Sequence, residues 1–205
     1  MFNILLGMDL PSVQGLRACL LCGGMSRRMG RDKSLIPHPQ GGSWLSHTID
    51  LCLRLDLPVD VVSSIPSHHQ LASRFGGVEC RSEPFPGRGP LAALSAVIGQ
   101  EKLLASLVLP VDMPWLETWA LIQLIRAWQE QPSLAVVSHD GIQLQPLFAI
   151  YPSDRIYREP LLRQLADHRL SMHDWLGKVP YRVLALPKRV LRNVNSPADL
   201  VTLEE

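Results

Sequence analysis

Short runs of apolar and β-branched residues alternate with longer amphipathic runs over most of the chain. This order is typical of βα units, which place parallel strands in one sheet and cover both of its faces with helices. The short runs predict seven strands, at Leu16–Leu21, Val59–Ser63, Val78–Cys80, Leu107–Leu109, Leu134–Val137, Gln145–Ile150 and Arg182–Leu184. We therefore expect a single three-layer α/β/α domain with a mostly parallel sheet.

Several helices are marked by their first residues. Ser43 is expected to cap one helix, and Pro90 suits the first position of another. The longest helix is predicted over Trp115–Glu130, and Ser196 with Pro197 opens a short last one. These helices would supply the two outer layers of the domain.

Composition and charge exclude several classes of protein. Twenty basic side chains against nineteen acidic ones leave a net charge of +1, whereas proteins that coat nucleic acids are strongly basic. The apolar run Met1–Met8 is followed by Asp9 and has no basic residues before it, so it predicts neither a secretory signal nor a membrane span. We expect a cytoplasmic protein in which residues 16–205 form the domain. Residues 1–15 would be a tail, either disordered or the result of a misassigned start site.

The cysteines and histidines do not have the spacing of metal ligands. Cys19 and Cys22 lie in an apolar run without the second pair of ligands that a structural zinc site needs. We expect all four cysteines to be small buried hydrophobes in a reducing compartment. Among the seven histidines, the pair His68-His69 is predicted at an exposed helix start.

The first predicted strand runs directly into a loop rich in glycine and arginine. From Arg27 to Lys33 this loop carries four cations and one anion, a local charge of +3 in a chain whose total is +1. Glycines at 23, 24 and 30 would let a ligand approach the backbone. Since loops after parallel strands line ligand sites, the pattern predicts a triphosphate site, the alternative being a solvated turn. The spacing fits neither a Walker loop nor a dinucleotide fingerprint.

The loop Leu-Cys-Gly-Gly-Met-Ser-Arg-Arg-Met-Gly-Arg-Asp-Lys resembles the signature Leu-Ala-Gly-Gly-x-Ser-x-Arg-Met-Gly-x-Asp-Lys of the molybdenum cofactor guanylyltransferases, the MobA-type enzymes. Further family motifs follow in order, namely Gly89-Pro90-Leu91-Ala92, Pro110-Val111-Asp112-Met113-Pro114, Gln145-Pro146-Leu147 and Asn193-Val194-Asn195-Ser196-Pro197. The resemblance implies a Rossmann-like fold of the nucleotide-diphospho-sugar transferase type. It also implies transfer of GMP from GTP to molybdopterin with Mg²⁺ as cofactor and pyrophosphate as product.

The resemblance implies roles for individual residues. Lys33 and Arg28 would act on the nucleotide phosphates, and Asp112 would hold the metal, although a turn aspartate capping the next helix is an alternative. Asn195 and Asn193, common turn residues, would face the pterin from one side of an extended segment. The expected GTP-binding set is Leu21, Cys22, Gly23, Gly24, Ser26, Arg28, Gly30, Lys33, Glu83, Gly89 and Asp112.

Base recognition is where the sequence departs from the family. The pair Gly23-Gly24 implies guanine, since Ala-Gly at this place marks the related cytidylyltransferases. Before Gly89, however, the family usually has an aspartate that pairs with guanine, whereas this chain has Ser82 and Glu83. Glu83 could make the same contact or be a solvated loop acid. Arg27 and Arg31 are expected to face water.

Other functions stay open at this stage. A sister enzyme would use CTP on molybdopterin, or a nucleoside triphosphate on a sugar phosphate, and a non-catalytic nucleotide-binding protein would keep only the fold. The resemblance further implies transient contacts with molybdenum-insertion proteins and acceptor molybdoenzymes. We expect a monomer or weak oligomer that binds neither nucleic acid nor membranes.

Overall fold

All seven predicted strands are present in the computed structural model, which describes residues 10–22, 29–99 and 103–200 apart from the side chains of Pro197 and Leu200. The strands are β1 (Leu16–Leu21), β2 (Val59–Val62), β3 (Val78–Arg81), β4 (Ala105–Pro110), β5 (Ala135–His139), β6 (Leu144–Pro152) and β7 (Tyr181–Ala185). The helices are α1 (Trp44–Leu53), α2 (Pro66–Ala72), α3 (Pro90–Leu94), α4 (Thr118–Glu130), α5 (Arg155–Ala166), α6 (Met172–Leu176) and α7 (Pro197–Leu200).

The strands form one sheet in the order β3-β2-β1-β4-β6-β5-β7. Every pair is parallel except the two that β6 makes, so the predicted mostly parallel sheet is confirmed. β6 runs the other way because only a short turn separates it from β5, and a turn of this length can join only antiparallel neighbours.

Helices cover both faces of the sheet, which confirms the three-layer arrangement. Leu16, Ala18 and Leu20 of β1 pack with residues of α1 and α4 in one apolar cluster. Cys19 and Leu21, which alternate with them, pack with α3, α5 and α6 in another. None of the helices in the described part of the chain has the length and apolar character needed to cross a bilayer.

Three predicted helix starts are confirmed. The Ser43 hydroxyl accepts the Ser46 backbone N–H at 3.3 Å while the Ser46 hydroxyl accepts the Ser43 N–H at 2.7 Å, a reciprocal cap for α1. Pro90 is the first residue of α3, which follows Gly89. α7 begins at Pro197, as Ser196 and Pro197 predicted.

The segment before β1 is partly attached to the domain. Val13 packs against the core, and the Gly15 carbonyl accepts hydrogen bonds from the amides of Leu104 at 2.8 Å and Ala105 at 3.3 Å. We propose that the domain begins at about Val13 rather than at residue 16. Residues 1–9 lie outside the described residues.

The prediction that all four cysteines are buried is wrong for Cys80. Cys19, Cys22 and Cys52 are buried, whereas Cys80 is exposed because β3 is an edge strand that pairs only with β2. Burial raises the pKa of Cys19 to about 12, and it raises the pKa values of Cys22 and Cys52 still further. The buried thiols are therefore expected to be inert.

A thiol reagent tests this arrangement. Burial raises the pKa of Cys80 as well, but its side chain is exposed, so in the native protein at alkaline pH we expect Cys80 to react rapidly and the other three cysteines to react only after unfolding. Release of the reagent's chromophore gives the count. The Cys80→Ser variant should lose the rapid reaction, and rapid labelling of a second thiol in the folded protein would contradict the prediction.

Candidate active site

Three side chains from distant parts of the chain meet beyond the carboxyl ends of β1 and β4. The Lys33 ammonium lies 3.0 Å from Oδ2 of Asp112 and donates a 2.8 Å hydrogen bond to Oδ1 of Asn195. Lys33 and Asn195 are 162 positions apart in the sequence. Three separate sequence motifs thus converge on one point.

Lys33 is held by a short 3-10 turn, Lys33–Leu35, that follows the loop after β1. Asp32 caps this turn, since its Oδ1 accepts the Ser34 backbone N–H at 3.0 Å. Ile36, at the other end of the turn, is buried against Trp44. Because the turn is fixed at both ends, the Lys33 side chain starts from a defined position.

Sheet register brings Asp112 to Lys33. β1 and β4 are parallel, with Leu21 opposite Pro110, so the chain leaves the two strands at neighbouring positions on one edge of the sheet. The chain order also reverses here, because β2 and β4 lie on opposite sides of β1, and such switch points form crevices in open α/β sheets. Asp112 does not cap the next helix, because α4 begins after an extended Glu117.

Two stacked histidines hold the segment between Asp112 and α4. Nε2 of His38 lies 2.9 Å from the Pro114 carbonyl oxygen, Nε2 of His47 lies 3.3 Å from that of Leu116, and the ring centroids are 3.7 Å apart. Since imidazoles rather than helical amides bond these carbonyls, α4 begins later than predicted. Burial lowers the pKa of His47, and the neighbouring His38 lowers it further, which favours a neutral ring.

Asn195 lies in a C-terminal segment that is tied to the site. The backbone N–H of Val194 donates to the Asp112 carbonyl at 2.9 Å, and the Val194 side chain is fully buried. Oδ2 of Asp199 accepts the backbone N–H groups of Asn195 at 2.9 Å and Ser196 at 2.8 Å. These hydrogen bonds lower the pKa of Asp199, so its carboxylate stabilises the turn that presents Asn195.

Asn193 has a different partner. Its Nδ2 donates to Oε1 of Gln145 at 3.3 Å, and Nε2 of Gln145 donates to Oδ2 of Asp140 at 2.8 Å. The two asparagines were predicted to face one ligand, but Asn195 contacts Lys33 and Asn193 contacts β6. The sequence assigned no role to Gln145, although it lies in one of the motifs.

Several predicted GTP-binding residues cannot be placed. Gly23, Gly24, Ser26 and Arg28 lie outside the described residues, as does Arg27. Gly30 and Gly89 have φ values of +64° and +79°, in the left-handed region that favours glycine. Both glycines are exposed, so their backbones are accessible.

Leu21, Cys22 and Glu83 lie around the end of β1. Leu21 and Cys22 are buried, and the Cys22 amide donates to the Val62 carbonyl at 3.1 Å. Burial raises the pKa of the Cys22 thiol, and the charges of Asp32 and Glu83 raise it further. Glu83 is half-buried and follows β3, which is parallel to β1 through β2, so it lies at the same edge of the sheet as the end of β1.

The family follows from a comparison with known proteins. Residues 18–181 match the MobA-like NTP transferase domain. The chain belongs to this family.

Named relatives agree with the family. A probable molybdenum cofactor guanylyltransferase of Rhodopirellula baltica is 34% identical, and the alignment covers 98% of this chain and 97% of the relative. A molybdenum cofactor guanylyltransferase of Shewanella putrefaciens is 29% identical, with 92% of each chain covered. The resemblance recognised in the sequence is thus confirmed.

A solved structure confirms the fold. The crystal structure of molybdopterin-guanine dinucleotide biosynthesis protein A from Archaeoglobus fulgidus superimposes with a TM-score of 0.72 at 21% identity, covering 92% of this chain and 96% of that one. The predicted Rossmann-like fold of the nucleotide-diphospho-sugar transferase type is therefore correct.

Nucleotidyltransferases of this kind typically need a divalent metal, and Asp112 suits one. The described residues contain no cluster of three or more His, Cys, Asp or Glu side chains that would form a complete cage. Mg²⁺ is often bound through one or two carboxylates together with substrate phosphates and water. A single carboxylate, 24% exposed and beside a lysine, fits an ion that is shared with a polyphosphate.

Sequence reasoning missed a contact between Trp115 and Arg192, which joins two of the motif-bearing segments. The Arg192 guanidinium carbon lies 5.1 Å from the centroid of the Trp115 ring, a cation–π contact. Trp115 follows the Asp112 motif closely, and Arg192 directly precedes Asn193. Their positions beside two motifs were the available signal.

Proposed function

We propose that this protein transfers GMP from GTP to the terminal phosphate of molybdenum-loaded molybdopterin and releases pyrophosphate. The observation that carries the proposal is the contact of Lys33 with both Asp112 and Asn195. It joins the residue expected on the phosphates, the residue expected on the metal and the residue expected on the pterin. Membership of the MobA-like family and the names of the relatives support the choice of substrates.

The reaction needs no covalent intermediate. An oxygen of the acceptor phosphate would form a bond to the α-phosphorus of GTP as the bond from that phosphorus to the bridging oxygen breaks. The electron pair would leave with pyrophosphate. Because the attacking oxygen is already anionic, no strong base is required, and the protein has to align two anions and stabilise their charge.

Lys33 is suited to stabilising that charge. An ammonium has three N–H donors, and its contacts with Asp112 and Asn195 use two of them. The third could donate to a phosphate oxygen of the nucleotide. The side chain is only 15% exposed, so its charge is weakly screened by water and would act strongly on a nearby phosphate.

Asp112 would hold Mg²⁺, with phosphate oxygens and water completing the coordination. The ion would supply neutralising charge to the triphosphate. Arg28 would add a second cation to the phosphates, as the family motif implies. Asp112 itself is oriented by the Lys33 ammonium and by the hydrogen bond from Val194 to its carbonyl oxygen.

Guanine would be read at the end of β1. Gly23 and Gly24 would let the purine approach the backbone, and the Glu83 carboxylate would accept the two neighbouring N–H groups of guanine. The parallel arrangement of β1, β2 and β3, which brings Glu83 to the same edge of the sheet as Cys22, supports this placement. On the acceptor side, Asn195 would hold the pterin substrate, with Asn193 held back by Gln145.

A reaction with each of the four nucleoside triphosphates tests the proposal. The protein, Mg²⁺ and molybdenum-loaded molybdopterin are incubated with one triphosphate at a time, and the products are identified by mass. Of the four incubations, we expect only the one with GTP to yield a dinucleotide, and we expect pyrophosphate release to depend on molybdopterin. A preference for CTP would refute guanine recognition, turnover with a sugar phosphate would refute the acceptor, and no pyrophosphate with any substrate would refute catalysis.

A further inference from the structure

His68, predicted to be exposed, is completely buried in α2 and makes two hydrogen bonds. Its Nε2 lies 2.6 Å from Oδ2 of Asp32, and its Nδ1 lies 2.8 Å from the hydroxyl oxygen of Ser63. Neither contact is explained by packing of the helix alone. A buried polar side chain of this kind is retained only where its partners compensate for the lost hydration.

Ser63, His68 and Asp32 form a chain of hydrogen bonds in which each donor can be matched with an acceptor. The Ser63 oxygen already accepts the backbone N–H of Ile65 at 3.1 Å, so its own hydrogen can be donated to Nδ1 of His68. Nε2 of His68 then carries the hydrogen that is donated to Asp32. A protonated imidazole also carries a hydrogen on Nε2, so the hydrogen bond to Asp32 has the same direction whether His68 is neutral or protonated.

Ser63 and Asp32, at the two ends of this chain of hydrogen bonds, are both held in place by further contacts. Ser63 follows β2 directly, and its backbone N–H donates a hydrogen bond to the Arg81 carbonyl of β3 at 2.9 Å. At the other end, Asp32 uses its second oxygen to cap the turn that begins with Lys33. The sheet is thereby connected to the phosphate lysine through three side chains.

We propose that His68 is a positioning residue for Lys33. By bonding Oδ2 of Asp32, it fixes the cap of the turn and keeps this carboxylate from competing with Asp112 for the Lys33 ammonium. Lys33 then lies ready between Asp112 and Asn195. Displacement of a catalytic group by about 1 Å can lower a rate by about 100-fold, so the alignment of the turn matters. This inference rests on the proposed guanylyl transfer.

Amide variants separate positioning from simple packing. His68→Gln can place an N–H donor near the position of Nε2, whereas His68→Asn is too short to reach Asp32. Both lose the imidazole ring, so they should lose similar stability. We expect His68→Asn to lower kcat for GMP transfer by about 10- to 100-fold, with KM for GTP changed by less than about threefold, and His68→Gln to recover most of kcat.

His69→Asn is the matched control, because His69 lies on the same helix and bonds the same serine but has no contact with Asp32. Its kcat should stay within about threefold of that of the wild type. Asp32→Ala combined with His68→Asn should be no worse than Asp32→Ala alone, since both changes break one chain. Equal kcat values for folded His68→Asn and wild type, or additive losses in the double variant, would overturn the proposal.

Amide hydrogen exchange provides a measurement that does not depend on turnover. The Ser34 amide, which Asp32 accepts, should exchange faster in His68→Asn than in His68→Gln and His69→Asn. Equal exchange in all three would overturn the positioning role even if the reaction were different from the one proposed. Failure of the proposed function, by contrast, would already be evident from the reaction of the wild-type protein, without any variant.

Discussion

Replacing Lys33 with alanine is expected to lower kcat/KM for GMP transfer by about 100- to 1,000-fold, the usual effect of losing one preorganised donor at the reacting centre. Lys33 is the cation that the structure places between the Asp112 carboxylate and the Asn195 amide. Charge on the departing pyrophosphate increases in the transition state, so the loss should appear mainly in kcat. Steady-state rates of pyrophosphate release at saturating Mg²⁺ measure it.

Lys188→Ala is the matched control for this variant. Lys188 is exposed in the loop after β7, and its removal takes away the same charge without touching the site. Its kcat/KM should stay within about twofold of that of the wild type. A Lys33→Ala protein that is folded and retains the kcat of the wild type would show that the ammonium does not act on the nucleotide phosphates.

Much of the fold could be predicted from local patterns. The strand positions follow from apolar runs, and the starts of α1 and α3 follow from Ser43 and Pro90, because each depends on residues close in sequence. The reversed direction of β6 was also available, since the interval between the predicted runs ending at Val137 and beginning at Gln145 is too short for a crossover helix.

The predictions for His68 and for the start of α4 were wrong because hydrogen-bond partners elsewhere in the chain determine both. His68 looked like a solvent-facing helix residue, but Asp32 and Ser63 supply polar partners that let it be buried. The start of α4 moved to Thr118 because imidazoles from the loop before α1 and from α1 itself bond the preceding carbonyls. Neither partner set has a local sequence signature.

The sequence identified individual residues of the candidate site but not their arrangement, because that arrangement also depends on partners distant in the chain. Motifs identified Lys33, Asp112 and Asn195 separately, whereas their convergence depends on the register of β1 with β4 and on the return of the C-terminal segment. The separate partners of Asn193 and Asn195 could not be foreseen. Two side chains that are two residues apart on an extended segment are expected on the same face. Asn193, however, bonds Gln145, whereas Asn195 bonds Lys33.

Changes at Asp112 should lower activity at least as strongly as changes at Lys33. Asp112→Asn keeps an oxygen that can accept from the Lys33 ammonium but loses the negative charge needed to hold Mg²⁺. We expect both Asp112→Asn and Asp112→Ala to lower kcat by at least about 100-fold. The Mg²⁺ concentration required for half-maximal rate should also increase, as a titration of initial rate against Mg²⁺ would show.

Comparison of the two Asp112 variants identifies which property of the carboxylate matters. If its main role were to orient Lys33, Asp112→Asn would retain most of the activity and only Asp112→Ala would lose it. If its charge holds the metal, the two variants should be almost equally impaired. Asp167→Ala, which removes an exposed carboxylate after α5, should leave both kcat and the Mg²⁺ dependence unchanged. Normal turnover and Mg²⁺ dependence in Asp112→Asn would therefore exclude Asp112 as the metal ligand while leaving the contribution of Lys33 intact.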